Sequence, residues 1–412
     1  MTAAWGLLVV ALGGLIMGSG VWPFKLMRQY RFEHWWFIGM LVGLVIMPWG
    51  ITLLGCPNAL QSLSRVPLSA ILLGNLFAVG WGIANVLCGL CYVRIGVALT
   101  GAILAGLGVS VGAITPMIFK GSGLFRSAAD LNSPAGLTVC AAVALMLVGV
   151  LIASLAGFGR DRELKKQQES LSGGFLTGLL MTVAAGILSS FMAFAFVYSQ
   201  DPIVSNLSII QPSTSITVSI DGRDDLSGSH AVSEKGILAL PGMDPLPVAG
   251  ISARQVADRI EQQLSTAPAP GKGSVLVQTG QIPPTFGVFA VGLMGGALVN
   301  LAYAAHLLRK NKSWGVLVQS GRELFLAVLI GVNFSLASAL MGEGMLLLGA
   351  LGASVGFGIQ QAMQMTGTQL LGFISGEWKG VHGKPRVQMY AAIAILVAAA
   401  VVMAFGNTLT KS

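Results

Sequence analysis

The chain has 412 residues, of which 54% are hydrophobic and only 10% charged, against about 25% charged in soluble domains. Its 55 glycines suit helices that pack closely in lipid. The composition therefore excludes an ordinary soluble globule and points to an all-α polytopic membrane protein with the lipid bilayer as its first partner. The formal charge of +8 reads loop by loop as membrane topology; no nucleic-acid partner is expected.

The first apolar run, residues 3–21, has no basic leader and no clear small-residue cleavage site, and reads as a retained span. It ends at Trp22-Pro23-Phe24-Lys25, followed by Arg28 and Arg31. Pro23 stops or kinks the helix, and Trp22, Trp35 and Trp36 fit an interfacial belt. Span two covers residues 36–54 and carries Pro48-Trp49 near its far end. Spans three and four share residues 74–116 and meet at the basic joint Tyr92-Val93-Arg94. The strongly polar side chains before that joint are Asn75 and Asn85, with Trp81 between them; amides inside a span must find partners. Span five is residues 135–156, a polar stretch follows at 159–170, and span six is 174–198.

The composition then changes. Residues 199–281 hold acids, Ser, Pro and alternating strands, with no apolar run long enough to span. Ile216, Val218 and Ile220 alternate as a strand. Ser252 and Gln255 form a capping box ahead of a helix whose apolar face is Val256, Ile260 and Leu264. Asp221-Gly222 and Lys235-Gly236 are turn signals. About 80 residues suffice for a small α+β domain. Spans seven to ten follow at 286–307, 323–341, 351–374 and 387–405. The chain thus divides into residues 1–201 with the first helices through helix six, a soluble α+β insert at 202–281, and residues 282–412 with helices seven to ten.

Charge sets the orientation. Loops after odd-numbered spans carry Lys25, Arg28 and Arg31; Arg94; Arg160, Arg162, Lys165 and Lys166; Arg309, Lys310, Lys312 and Arg322; and Lys379, Lys384 and Arg386. The other face carries Arg65, Lys120 and Arg126, with Lys411 in the tail. The positive-inside rule places the first set in the cytoplasm, and both termini and the insert on the outer, periplasmic face of the inner membrane.

The common hydrolase and NTPase motifs are absent, so the chain is not expected to be an enzyme. The glycine-rich Gly121–Arg126 stretch reads as a turn. The histidines at 34, 230, 306 and 382 lack metal-ligand spacing, so no metal and no organic cofactor is expected. Cys88 and Cys91 form a C-x-x-C in an apolar helix end, where packing is the better reading than redox chemistry.

Several motifs follow in a fixed order: Pro23-Phe24-Lys25, Pro48-Trp49, Gly80-Trp-Gly-Ile-Ala-Asn85 with the Arg94-Ile-Gly96 joint, and residues 186–195. Further on come Leu298-Val-Asn-Leu-Ala-Tyr303 with residues 308–311, residues 348–356, and Gly376-Glu-Trp-Lys-Gly380. In that order the chain resembles the L-rhamnose–proton symporter family of the drug/metabolite transporter superfamily. The resemblance implies a sugar carrier of ten helices built as a 5+5 inverted repeat, in which an odd helix number per half flips the second half. It also implies protons as the coupling ion. The insert departs from that family. Residues 216–228, 232–241, 247–250, 252–264 and 275–278 are similar in order to a polysaccharide export domain, which implies contact with an envelope glycan or a partner protein.

A sugar site needs amides or hydroxyls for the ring hydroxyls and an aromatic face for the C–H surface. The candidates are Trp81, Asn75 and Asn85; Gln360, Gln361 and Gln364, of which Gln360 and Gln364 share a helix face; Asn333; and Lys25 after the first span. Each amide serves equally well as glue between helices, and Lys25 as a snorkelling topogenic lysine. Proton coupling needs a titratable group. Glu323 begins span eight and Glu343 lies just beyond its outer end, leaving Glu343 or an interfacial His34 as candidates. The expected function is secondary transport of L-rhamnose or a related small polar metabolite. The alternative is an exporter, or an envelope-glycan assembly or sensor component that binds through the insert.

Overall fold

The computed structural model describes residues 2–56, 58–94, 97–119, 130–164, 175–220, 223–266, 275–279, 284–348 and 352–409. The Gly121–Arg126 turn, Asp221-Gly222, and the basic residues Lys120, Lys165, Lys166 and Lys411 lie outside them. The protein is mostly helical. Among the described residues seven helical stretches are long and apolar enough to cross a membrane: Ala4–Leu26, Phe32–Gly55, Leu68–Cys88, Pro134–Arg160, Leu180–Leu207, Gly321–Leu348 and Lys384–Gly406. The chain is a multi-pass membrane protein.

Helix α1 (Thr2–Ser19) gives way to a 3-10 turn, Trp22–Leu26, with Pro23 at its start. Proline fits the opening of a helix but not its interior, and the chain changes direction there. Helix α2 (Phe32–Leu41) begins ahead of residue 36 because His34 Nδ1 accepts the Arg31 N–H at 3.0 Å, capping the first turn. It continues through a π turn, Val42–Ile46, into α3 (Met47–Gly55). Pro48 lies two residues past the end of that turn; it has no N–H for the carbonyl four residues back, which falls within the turn, and the wider turn accommodates the break. Two more π turns occur, Val288–Gly292 and Gly352–Gly356, each opening a later helix.

After the short α4 (Ala59–Ser64), α5 (Leu68–Arg94) is several residues longer than the apolar run alone implies, and α6 is Val97–Ile118. Helix α7 (Pro134–Leu164) runs past the apolar stretch into the Arg-Asp-Arg-Glu sequence, where charged residues extend a helix into water without penalty. Span six is broken into α8 (Phe175–Ser189) and α9 (Phe191–Leu207). Helix α9 passes through Pro202 and ends at Leu207, where Ile203 and Leu207 pack onto Gly287.

The small sheet region follows. Strands β1 (Ser215–Ile220), β2 (Gly228–Ala231) and β5 (Val275–Gln278) form an antiparallel sheet in the order β2-β1-β5, and β3 (Ile237–Leu238) pairs with β4 (Leu246–Pro247). Ile216, Val218 and Ile220 all face its core, as their alternation requires. The capping box forms: Gln255 Oε1 accepts the Ser252 N–H at 3.0 Å, and Ser252 Oγ accepts the Gln255 N–H at 3.3 Å. It starts α10 (Ala253–Thr266), which buries Val256, Ile260 and Leu264 on the sheet. Gly236 turns with φ +74°, a conformation that side chains disfavour.

The last helices are α11 (Met294–Lys310), α12 (Gly321–Leu348), α13 (Phe357–Ile374) and α14 (Lys384–Thr408). Helix α12 corrects one sequence expectation: it extends seven residues past 341, so Glu343 lies inside a candidate span rather than beyond it. Gly342 and Gly344 do not end the helix because each is a contact surface. A side chain at 342 would meet Gln200 and Phe196, and one at 344 would meet the backbone of α1 at Gly6 and Val10. The bundle has two main apolar cores. One gathers Trp81, Phe196, Phe289, Met341 and Met345, the other Val109, Val139, Met146, Ile359 and Met403.

Candidate functional site

The amides fall into two groups. Asn75 donates from Nδ2 to Ile71 O (2.9 Å) and to Val291 O (2.6 Å), and its Oδ1 accepts the Gly295 N–H at 2.7 Å. It brackets the π turn that opens α11, supplying partners to backbone groups that a π-to-α junction leaves free. Asn333 donates to Gly20 O at 2.9 Å and holds the end of α1 against α12. Both act between helices, and glycines at 20, 74 and 295 let the backbones close to that range.

The second group is not spent on packing. Asn85 and Gln361 are half-buried and make no hydrogen bond among the described residues. Gln360 is buried and donates to Gln364 Oε1 at 2.8 Å, so the expected shared face is realised as a pair. The α1 backbone approaches that pair closely through Gly14 and Gly18. Trp81 is buried against Gly296 and stacks on Phe334 of α12, with ring centroids 6.3 Å apart. Trp81 and Phe334 belong to the first core, while Ile359, Ala362 and Met363 beside the glutamines belong to the second. The two pairs thus belong to different apolar cores.

The charged residues sit at helix ends. Lys25 pairs with Glu377 and donates to Ser375 Oγ at 2.6 Å, while Arg160 reaches the other oxygen of Glu377 at 3.2 Å and lies over the Trp378 ring. The Pro23-Phe24-Lys25 and Gly376–Gly380 motifs, some 350 residues apart, thus form one clasp between the exits of α1, α7 and α13. His34 is buried: Nδ1 accepts from Arg31, so the proton lies on Nε2, which faces Ser313 O at 3.3 Å. This is a capping histidine with both ring nitrogens occupied. Glu343 differs: it is half-buried within α12 and has no polar partner among the described residues.

Sequence reasoning passed over Glu323. Its carboxylate, 2% exposed, accepts three backbone N–H groups, from Arg28 (2.7 Å), Gln29 (3.0 Å) and Tyr30 (2.7 Å), fixing the loop after α1 to the start of α12. The signal was available, since Ser320 and Glu323 have capping-box spacing at a helix start. Tyr30 donates to Leu317 O at 2.6 Å, and burial, reinforced by the nearby Glu323 charge, pushes its phenol above the usual range. Gln200 was also missed; its Nε2 donates to Gly342 O at 2.7 Å. Among the described residues no three His, Cys, Asp or Glu side chains gather as metal ligands.

Residues 2–216 match the sequence model of a family described as L-rhamnose-proton symport protein. A protein of Yersinia pestis bv. Antiqua (strain Antiqua) named L-rhamnose-proton symporter is 31% identical over 173 residues, 42% of this chain and 49% of the relative. One of the same name from Yersinia pseudotuberculosis serotype O:3 (strain YPIII) is 31% identical over 173 residues, 42% of this chain and 48% of the relative. The chain spans about half the length of the curated relatives it matches. The family match takes in α1 through α9, which include the Lys25 motif, the Asn75–Trp81–Asn85 helix and Gln200. On that match the chain belongs to the L-rhamnose-proton symport protein family.

Proposed function

We propose that this chain is a secondary carrier that moves L-rhamnose or a related small polar sugar across the cytoplasmic (inner) membrane together with a proton. The observation that carries the reading is the family match over residues 2–216. The named relatives are symporters of that sugar and proton, and a carrier of this kind is not an enzyme.

In this reading α6, α11 and α13 join the seven candidate spans to give ten helices in a 5+5 inverted repeat. The packing supports it. Helix α5 lies on α8, α9 and α11, as α12 lies on α1 and α2; α6 lies on α7, α8 and α9, as α13 lies on α14 and α1; and α2 pairs with α11 as α7 pairs with α14. Exchanging spans one to five for six to ten maps these contacts onto themselves. The π turns Val42–Ile46 and Val288–Gly292 occupy corresponding spans. The excess of Lys and Arg in the loops after odd-numbered spans supports an orientation with both termini and residues 202–281 outside.

In this proposal Trp81 of one core, with Asn85, and Gln360, Gln361 and Gln364 beside the other core meet the substrate along its path, and the coupling proton is held by Glu343, a carboxylate at span depth without a polar partner among the described residues. Asn75, Asn333 and Lys25 position helices, and His34 caps α2. A radiolabelled-sugar panel in proteoliposomes, with and without a pH gradient, is the test. Uphill uptake of one sugar driven by the gradient and lost in Glu343→Gln is expected. Uptake that ignores a collapsed pH gradient but follows a sodium gradient would replace the proton. Impermeant maleimide labelling of Ser229→Cys in outer-membrane-permeabilised cells tests the topology; protection until the inner membrane is lysed would reverse it.

A further inference from the structure

Hydroxyl side chains in these helices mostly satisfy themselves. Ser19, Ser110, Ser154, Thr182, Ser199 and Thr366 each donate to the carbonyl four residues back, at 2.6–3.0 Å. One group does not. Ser335 and Ser338 of α12, Thr285 ahead of the second π turn, and the Oε1 of Gln200 on α9 are buried with no hydrogen-bond partner. Their residues are at most 2% exposed. A buried polar atom without a partner costs on the order of 1–3 kcal/mol, so a cluster of four calls for a physical reason.

Gln200 and Thr285 meet α12 at Gly342, on the helix face that also carries Ser335 and Ser338. Gln200 Nε2 bonds the Gly342 carbonyl, and the open side of Gly342 faces both Gln200 and Thr285 Cβ. Ser335, Ser338 and Gly342 are spaced i, i+3 and i+7 and share one face of α12. Phe196 of α9 walls the same spot.

The kind of deficit narrows the ligand to one that both donates and accepts hydrogen bonds, as water and sugar hydroxyls do. The hydroxyls lack acceptors for their protons, and Gln200 Oε1 lacks a donor. A metal cation accepts no hydrogen bond and would leave the hydroxyl protons unmet. An anion donates none and would leave Gln200 Oε1 unmet. A sugar hydroxyl donates and accepts, and meets both. We infer that Gln200, Thr285, Ser335 and Ser338 form a neutral subsite for the hydroxyls of the transported sugar, sealed in this arrangement by the Gln200–Gly342 bond. Loading it requires α9 and α12 to part, which breaks that bond and turns the whole Gln200 amide to the ligand.

The inference rests on the sugar-carrier reading, and the test separates the two. Ser338→Ala, Ser335→Ala and Thr285→Val remove the hydroxyls with little change of shape. In purified protein without sugar, each variant is expected to melt at or above the parent temperature, because a partnerless group has been removed. The sugar-induced rise in melting temperature should shrink, and KM for uptake should rise about three- to tenfold per hydroxyl. A deoxy sugar lacking the matching hydroxyl should lose less on the variant than on the parent. If the parent is stabilised by sugar and all three variants respond equally, the subsite is overturned while the carrier reading stands. If the parent neither binds nor moves any sugar of the panel, both fall. Variants that melt lower without sugar but respond to it normally would show that the hydroxyls are structural and also overturn the subsite.

Discussion

Replacing Asn75 by Ala separates a residue that binds helices from one that binds substrate. The side chain makes two contacts across the α5–α11 interface: it donates to Val291 O at 2.6 Å and accepts from Gly295 N–H at 2.7 Å. The bond to Ile71 O is within its own helix and leaves a carbonyl already paired in the helix ladder. Truncation therefore strands two backbone groups at a π turn. Buried orphans cost about 1–3 kcal/mol each, while side-chain bonds between membrane helices average nearer 0.6 kcal/mol. The sum lies between about 1 and 6 kcal/mol, and the short distances favour about 2–4 kcal/mol. Unfolding of purified protein in mixed micelles, followed by denaturing-detergent titration, measures it. Asn75→Asp keeps an acceptor for Gly295 but loses the donor, and should fall between parent and Ala. Uptake per folded molecule should stay near the parent value. A change in stability below about 0.5 kcal/mol, or uptake lost at unchanged stability, would refute this account and return Asn75 to the substrate site.

The Lys25–Glu377 pair is partly solvent-exposed, so Lys25→Met should cost under about 1 kcal/mol, while the exchange Lys25→Glu with Glu377→Lys should recover less than full uptake because Arg160 then faces a lysine. Ser252→Ala should remove the α10 cap and lower local stability by about 1 kcal/mol, read as faster hydrogen exchange confined to residues 253–266. The Tyr30 phenol is raised in the folded state by burial and then by Glu323, so its stabilisation is present below the ordinary tyrosine value and disappears as pH rises through the folded one. A melting-temperature profile should therefore fall above about pH 10 and flatten there in Tyr30→Phe; an identical alkaline limb in both would exclude Tyr30 as its source.

The apolar runs announced the helices, and the charged-residue pattern bounded most of them, because lipid imposes one length scale on every span. The overshoots have specific causes. Helix α12 runs on through Gly342 and Gly344, since glycine weakens a helix in water but serves as a contact face where another backbone lies against it. Helix α9 continues past Pro202 because tertiary contacts at Ile203 and Leu207 outweigh one missing bond. Site residues were less legible. An asparagine in an apolar run has the same sequence signature whether it brackets a π turn, as Asn75 does, or stands without a partner among the described residues, as Asn85 does. Only the position of the facing backbone distinguishes them. Hydroxyls are harder still: Ser199 bonds back to its own helix and Ser338 does not, and neither one's neighbours in sequence reveal it.

The junction beyond α9 has a practical use. Asp201 on that helix pairs with Arg254 at the start of α10, Ser208 O accepts the Ala253 N–H at 3.0 Å, and Ile210 and Ile251 are joined by a backbone bond of 2.9 Å. The sheet is thereby bolted to the helix that carries Gln200, one residue before the pairing aspartate. A rotation of α9 by a few degrees is magnified at the distal strands, as at the tip of a pointer. An antibody fragment raised against the sheet would act as a fiducial for imaging this small membrane protein, and a fluorophore pair between the sheet and α14 would record the proposed transport cycle as a change in distance.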